Sequence, residues 1–179
     1  YTGASGWLIG EPNKGLACMF TMMNSARLNV GLEGVAVGDA AYQAAFEYAQ
    51  ARKQGKVEGV TGAAPILHHA DVRRTLITMR ARVAVARAIC HACGVAADIA
   101  HASDTPSIRS AAKAREDLLT PIAKAWSTDM GVDVASLGVQ VHGGIGFMSE
   151  TLAAQLYRDA RIAPIYEGTN GIQAIDLVG

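Results

Sequence analysis

LACMFTMMNSARLNVGLEGVAVGDAAYQAAFEY, the stretch from Leu16 to Tyr48, decides the fold. In it Leu16, Phe20, Met23, Arg27, Val30, Gly34, Val37, Ala41, Ala44 and Tyr48 recur at alternating spacings of four and three. That spacing gathers them on one face of a helix, since about 3.6 residues complete each turn. Carried on to Arg52 at ~1.5 Å per residue, the helix would reach roughly 55 Å. Gly31, Gly34 and Gly38 fall inside it, each costing ~1 kcal/mol against Ala. Close approach of a neighbouring helix or a ligand is the expected compensation.

Outward from this helix the pattern repeats. Gln54 to Pro65 holds three glycines and breaks the register. A second helix follows on the stripe Val72, Leu76, Met79, Val83, Ala86, Cys90, Cys93 and Ala97, again spaced four and three, and Ala102-Ser-Asp-Thr-Pro-Ser107 ends it. A third helix is expected from about Ile108 to Met130, with Pro121 as a kink or break. A fourth is expected from about Val132 to His142, stopping at Gly143-Gly144. A shorter helix near Thr151 to Arg161 and another after Gly168 complete the chain. Four principal helices with short connections imply an all-α, antiparallel up-down four-helix bundle. Residues 1–15 differ: turn residues surround the short apolar run Trp7-Leu8-Ile9. They read as a strand remnant of a preceding β domain, with the bundle at 16–179, because three residues make no independent strand.

Half of the 179 residues are apolar, 18% are charged, and Lys plus Arg balances Asp plus Glu at 16 each. An even balance gives no footprint for nucleic acid or an anionic membrane surface. No uninterrupted apolar run approaches the roughly 18 residues of a bilayer span, and no charged leader precedes an apolar stretch. The three cysteines, Cys18, Cys90 and Cys93, make no disulfide framework. An odd count without glycosylation sequons points to a reducing, cytoplasmic setting.

Several residues invite chemistry. Cys90-His91-Ala92-Cys93 suggests metal or redox work, but both thiols lie on the apolar stripe and zinc needs four ligands, so we expect buried, metal-free cysteines. His142-Gly-Gly-Ile-Gly-Phe147 is glycine-rich yet closes a helix instead of opening one after a strand. It therefore reads as a helix C-cap, not a dinucleotide fingerprint. Arg27 occupies a core-type position, where a structural ion pair and a ligand contact stay equally open. Glu167, between apolar Ala163-Pro-Ile-Tyr166 and the glycine-rich Gly168-Thr-Asn-Gly171, could be a general base whose proton affinity is raised by its walls. Spacing alone favours the plainer reading, a solvated carboxylate near a helix N-terminus.

Four segments, taken in order, resemble the acyl-CoA dehydrogenase family. Tyr157-Arg-Asp-Ala-Arg161 leading into Ile165-Tyr-Glu-Gly-Thr-Asn-Gly-Ile-Gln173 resembles its catalytic-loop signature. Val139-Gln-Val-His-Gly-Gly-Ile-Gly-Phe147 resembles its flavin-contacting turn, and Ala26-Arg27 and Ala51-Arg-Lys-Gln-Gly55 resemble landmarks at either end of its first bundle helix. The resemblance covers essentially the whole chain and implies the C-terminal bundle domain of a three-part subunit that dehydrogenates an acyl-CoA thioester to a trans-2-enoyl-CoA. It implies FAD as cofactor, a homo-oligomer (a dimer or dimer of dimers) and electron-transfer flavoprotein as acceptor.

Residue by residue, the resemblance implies that Glu167 is the catalytic base. Arg52 would contact the FAD pyrophosphate of a partner subunit, with Gln140, Val141, His142, Gly143 and Gly144 on its adenosine side. Thr169, Asn170 and Gly171 would contact flavin in their own subunit, and Arg27, Tyr166 and Gly168 would serve the substrate, Arg27 by ordering the first helix at its CoA end. Family members that carry the base just before the arginine have a carboxylate where this chain has Ala26, which cannot serve. Two departures stand out: Arg52-Lys-Gln-Gly55 lacks the family's aromatic before the glycine, and the connection around Asp98 to Thr120 is expected to be longer. The wording Met19-Phe-Thr-Met-Met-Asn and Ala97-Asp-Ile-Ala-His-Ala-Ser-Asp resembles a bacterial subgroup that includes methylthiopropionyl-CoA dehydrogenases. A helical bundle used only for assembly, as an isolated fragment, is the alternative function.

Overall fold

A computed structural model describes residues 2–178, and it is all-α among them. Three long helices form the body: α1 (Gly15–Ala51), α2 (Ala70–Ala102) and α3 (Pro106–His142). Three short ones follow: α4 (Gly144–Phe147), α5 (Leu152–Ala160) and α6 (Asn170–Val178). Gly31 lies against Ala123 and Gly34 against Ser127, so α1 and α3 run in the same direction. Cys90 approaches Gly31 while Val83 approaches Gly38, so α2 runs opposite to both, giving an up-down-up trio. The short α5 packs on α1 and α3, and α6 packs on α3.

The sequence reading of α2 is close to residue-exact. Leu76, Met79, Val83, Ala86, Cys90 and Cys93 are all buried, and the helix ends at Ala102. On α1 the expected stripe holds at Arg27, Val30, Gly34 and Ala41, then drifts: Ala45 and Ala49 are buried in place of Ala44 and Tyr48. A repeat of 3.5 slips by about 20° per heptad on a straight helix of 3.6 residues per turn, and that slip moves the buried face by one residue. Leu16 and Phe20 are exposed, and Phe20 lines an open cleft together with Ala97, His101 and Lys113.

Other expectations are corrected. The third and fourth helices are one: α3 continues through Pro121 and on past Met130 and Val132. A mid-helix proline removes one backbone hydrogen bond and costs ~3 kcal/mol, but Pro121 is buried, and tertiary packing outweighs the local penalty. Residues 103–105 join α2 to α3, close to the expected break at 102–107, and Pro106 opens α3 with its φ already suited to a first turn. No strand forms among the described residues. Trp7, Leu8 and Ile9 are unpaired and largely exposed, and the one β-bridge, Lys53 to Pro65, clasps the base of the glycine-rich loop. Among the described residues one helix, α2, is long and apolar enough by length and composition to cross a membrane. Counting uninterrupted apolar runs missed it, because Arg80, Arg82 and Arg87 interrupt the helix, whose apolar stripe packs on α1 and α3.

The glycines of α1 do bring a helix close. A Cβ on Gly34 would sit 2.4 Å from the Ser127 carbonyl oxygen, and one on Gly31 would sit 2.7 Å from that of Ala123. From the other side, a Cβ on Gly131 would lie 2.8 Å from the Gly34 carbonyl oxygen. Backbone meets backbone along this seam, and side chains there would push α1 and α3 apart.

Candidate active site

After α5 the chain turns over the α1–α3 seam and enters α6. Tyr166 N–H donates to the Ile162 carbonyl (3.2 Å) and Asn170 N–H to that of Pro164 (3.1 Å), closing a compact loop. At its apex Glu167 has φ 56° and Gly168 φ 82°, two successive left-handed residues. Glycine adopts that conformation freely, whereas a glutamate there is uncommon and strained. A Cβ on Gly168 would also come within 2.9 Å of the Gln173 Nε2, so that side chain would have to shift. Glu167 is half-buried, and no ion pair engages its carboxylate among the described residues.

Beneath the loop lies a floor of buried polar groups. Arg27, 6% exposed, donates from Nη1 to Asp176 Oδ2 on α6 (2.6 Å), while its Nε, also buried, has no partner among the described residues. Of the two readings left open for Arg27, the geometry describes the ion pair, a tie from α1 to α6 that orders the helix. Gln173 is 1% exposed and donates through Nε2 to the Gly168 carbonyl (3.2 Å), pinning the loop apex to α6. Lys124 on α3 is fully buried, and its Nζ donates to Asn170 Oδ1 (2.9 Å). The Asn170 Nδ2 donates to the Ala125 carbonyl (3.1 Å) and to Asp129 Oδ1 (2.8 Å). Burial pushes the Lys124 ammonium below its ordinary pKa; Asp129 opposes that shift, Arg27 adds to it and Glu167 opposes it.

The loop is also tied to α1. The Tyr166 hydroxyl donates a short hydrogen bond to the Glu33 carboxylate. That bond, with burial and the negative charges of Glu33 and Glu167, pushes the phenol up to about 12, so Tyr166 is a neutral donor at ordinary pH. Thr169 caps α6 by accepting from Ile172 N–H (3.4 Å). Because the Asn170 side chain is committed inward, whatever binds outside the first turn of α6 meets Thr169, Gly171 and backbone.

A second cluster forms where α1 and α3 end. His142 stacks on Tyr48 with ring centroids 4.5 Å apart and donates from Nδ1–H to the Gly138 carbonyl (2.7 Å). One turn beyond Tyr48, Arg52 is exposed. Gly143 has φ 65° and donates to the Val139 and Gln140 carbonyls (both 3.1 Å), which makes the turn a helix C-cap as expected. It is also open: a Cβ on Gly143 or Gly144 would meet nothing within 4 Å. Gln140 is exposed, whereas Val141 is buried and turns its side chain to the core. From Arg27 to Arg52 the helix rises roughly 37 Å, so Glu167 and the Arg52–Gly144 cluster are separate places.

Cys90 and Cys93 are buried, as expected, beside the hydroxyls of Ser127 and Thr120 (both 3.5 Å). Burial raises both thiols above their ordinary pKa. The sequence reading passed over Lys124, Gln173, Asp176 and Glu33. A signal did exist for Lys124: Thr120, Lys124 and Thr128 stand at spacings of four on the same helix as Ala123, Ser127, Met130 and Val134, all of them buried.

Residues 13–178 match the family described as "Acyl-CoA dehydrogenase, C-terminal domain". The 3-methylmercaptopropionyl-CoA dehydrogenase of Ruegeria pomeroyi is 50% identical over all of this chain and 31% of its own length. A butyryl-CoA dehydrogenase of Syntrophomonas wolfei is 36% identical over 97% of this chain and 30% of its own. The chain thus spans about a third of the length of these curated relatives. Among solved structures, the acyl-CoA dehydrogenase of Bacillus anthracis complexed with FAD superposes with a TM-score of 0.80 at 26% identity, over 94% of this chain and 29% of that one. Butyryl-CoA dehydrogenase from Megasphaera elsdenii superposes with a TM-score of 0.74 at 26% identity, over 94% of this chain and 39% of that one. With this helical order, this loop and these matches, the chain belongs to the acyl-CoA dehydrogenase family and carries its C-terminal domain.

Proposed function

We propose that the parent protein is a flavin-dependent acyl-CoA dehydrogenase in which Glu167 removes the α proton of an acyl-CoA thioester, giving the trans-2-enoyl-CoA. The observation that carries this is the left-handed backbone at Glu167, held by Tyr166–Glu33 on one side and Gly168–Gln173 and Asn170–Lys124 on the other. Strain sustained by surrounding structure is what a site that must aim one carboxylate requires. Glu167 accepts the proton; Tyr166, kept neutral, orders the approach to it; Arg27 stiffens α1 beside the substrate through Asp176. A thioester closing over the carboxylate would expel water from around it.

The residues present fit FAD. Arg52 supplies a guanidinium suited to phosphate oxygens, and Gly143 and Gly144 leave open space at the helix end where a nucleotide could approach the backbone. Thr169 and Gly171 offer the first turn of α6 beside Glu167. When bound, FAD would supply the acceptor for the hydride leaving the β carbon. The roughly 37 Å between the two sets supports two flavins shared across subunits, hence a homo-oligomer, a dimer or dimer of dimers. The proposal extends to electron-transfer flavoprotein as the acceptor. It also extends to a short acyl substrate of the kind named for the Ruegeria relative, and to a cytoplasmic location, supported by three unpaired cysteines.

The test uses the full-length parent. Glu167→Gln preserves shape and backbone but cannot take the proton, so FAD content and acyl-CoA binding should persist while flavin bleaching slows by about 10²–10⁴-fold. Anaerobic mixing with saturating 3-methylmercaptopropionyl-CoA measures this. Bleaching within a few-fold of wild type would show that the proton goes elsewhere.

A further inference from the structure

α2 carries two apolar faces. One, from Leu76 to Cys93, packs on α1 and α3. The other points away from them: only 28% of the most apolar 18-residue stretch of α2 is buried. Ile77, Val85, Val95 and Ile99 stand between 41% and 66% exposed, and Ala81, Ala84 and Ala88 are exposed between them. A continuous apolar stripe on a globular surface marks a face that a partner covers.

The order of residues along the stripe identifies that partner. Ile77, Ala81 and Ala84 precede Ala88 by eleven, seven and four positions, and Ala92, Val95 and Ile99 follow it by four, seven and eleven. At about 100° per residue all of them fall within roughly 40° of one line along the helix, opposite buried Met79 and Val83. The stripe is thus a palindrome in position and in size, with alanines at the centre and branched side chains at both ends. Such a face matches itself when a second copy is turned end for end, the isologous contact of a two-fold pair in which residue i meets j and j meets i. Ile77 then lies opposite Ile99 of the partner subunit, and Ala88 meets its own copy, where small side chains let the helix axes come close. Beside Val95 and Ile99, Ile108 and Ala111 of α3 complete an open apolar groove, and the partner's Ile77 would seat in it.

The charges along the edge agree. Arg80 and Asp98 lie on the same side of the stripe, about 80° from its centre line, eight positions before Ala88 and ten after it. Neither forms an ion pair among the described residues, whereas Arg82 and Arg87 are held by Asp133 and Asp39. End-for-end packing brings Arg80 within about one turn of the partner's Asp98, twice across the axis. A parallel copy would set Arg80 level with Arg80 and leave both charges without a partner.

We propose that α2 is the seat of a contact between two copies of this chain, packed antiparallel through their outer faces about Ala88. The contact uses none of the residues named for FAD or for the proton transfer, so it stands or falls apart from them.

The full-length parent tests it. Ala88→Arg sets two guanidinium groups against each other on the axis, at a position exposed within the subunit and tolerant of a good helix former. Sedimentation velocity should show the particle mass fall two-fold with FAD content unchanged. Arg80→Asp and Asp98→Arg should each raise the dissociation constant roughly tenfold, because the pair occurs twice, and the two reversals combined should restore it. In a Cys18→Ser background, a short bismaleimide should join Ala88→Cys into dimers, since the residue on the axis meets its own copy. A mass unchanged by Ala88→Arg, with no cross-linked dimer from Ala88→Cys, overturns the proposal and assigns the face to another segment of the parent chain. A double reversal that stays weakened overturns the antiparallel pairing. A fall in mass accompanied by loss of flavin overturns it too, since the effect would then belong to the flavin-sharing contact near Arg52.

Discussion

The seam between α1 and α3 and the polar floor beneath the Glu167 loop are neighbours built from the same two helices in opposite ways. Along the seam, Gly31, Gly34 and Gly131 remove side chains so that backbones touch. At the floor, Arg27 stands one turn before Gly31, and Lys124 directly follows Ala123; there the helices bury long charged side chains instead. The seam gains contact in every direction and needs no partner chemistry. The floor gains little stability for the charges it desolvates, and its hydrogen bonds converge on Gly168, Asn170 and Asp176, the residues that hold the loop. Close packing and costly burial in adjacent turns separate what makes the fold from what makes the site.

The sharpest way to break the comparison is at Gly34. Gly34→Ala places a methyl 2.4 Å from the Ser127 carbonyl oxygen, so α1 and α3 must part, and we expect a loss of about 3 kcal/mol, read as a lower urea midpoint. At the floor, Asp176→Ala leaves buried Arg27 without its carboxylate. Complete burial of both partners would make that worth about 3–5 kcal/mol; the Asp176 side chain is 40% exposed, which brings the expected loss to about 1–2 kcal/mol. Gly94, inside the C-terminal half of α2, is the control: a Cβ there meets nothing within 4 Å, so Gly94→Ala should stabilise by about 0.5–1 kcal/mol. A destabilised Gly94→Ala would mean that the cost at Gly34 does not come from the seam. The smallest effect concerns the thiols. Iodoacetamide should label exposed Cys18 first and reach Cys90 and Cys93 only on unfolding. Because burial raises both folded pKa values above the ordinary 9.0, their contribution to stability is complete below pH 9 and is lost as pH climbs through the raised values.

Where one physical rule governs, the sequence was readable. The α2 stripe from Leu76 to Cys93 was legible because apolar spacing alone decides which face packs. At Pro121 a local rule competed with tertiary packing, and only the folded chain shows that packing prevails. Glu167 stood out only through its resemblance to a known loop, since a carboxylate between apolar and glycine-rich segments has an ordinary meaning too. Lys124 was illegible for a different reason: lysine reads as surface, and what makes it exceptional is Asn170, 46 positions further along the chain. Tyr166 and Glu33 are farther apart still, at 133 positions. Long-range polar pairing leaves no periodic trace.

The left-handed backbone at Glu167 bears on how this domain could be engineered. A side chain in that conformation costs roughly 1–2 kcal/mol that glycine would not, and asparagine or aspartate would lower. A library selected for heat resistance alone would therefore be drawn toward glycine at position 167, hardening the protein while discarding the group proposed to take the proton. Any such screen needs a turnover gate applied in every round, because at this position the more durable clone is expected to be the silent one.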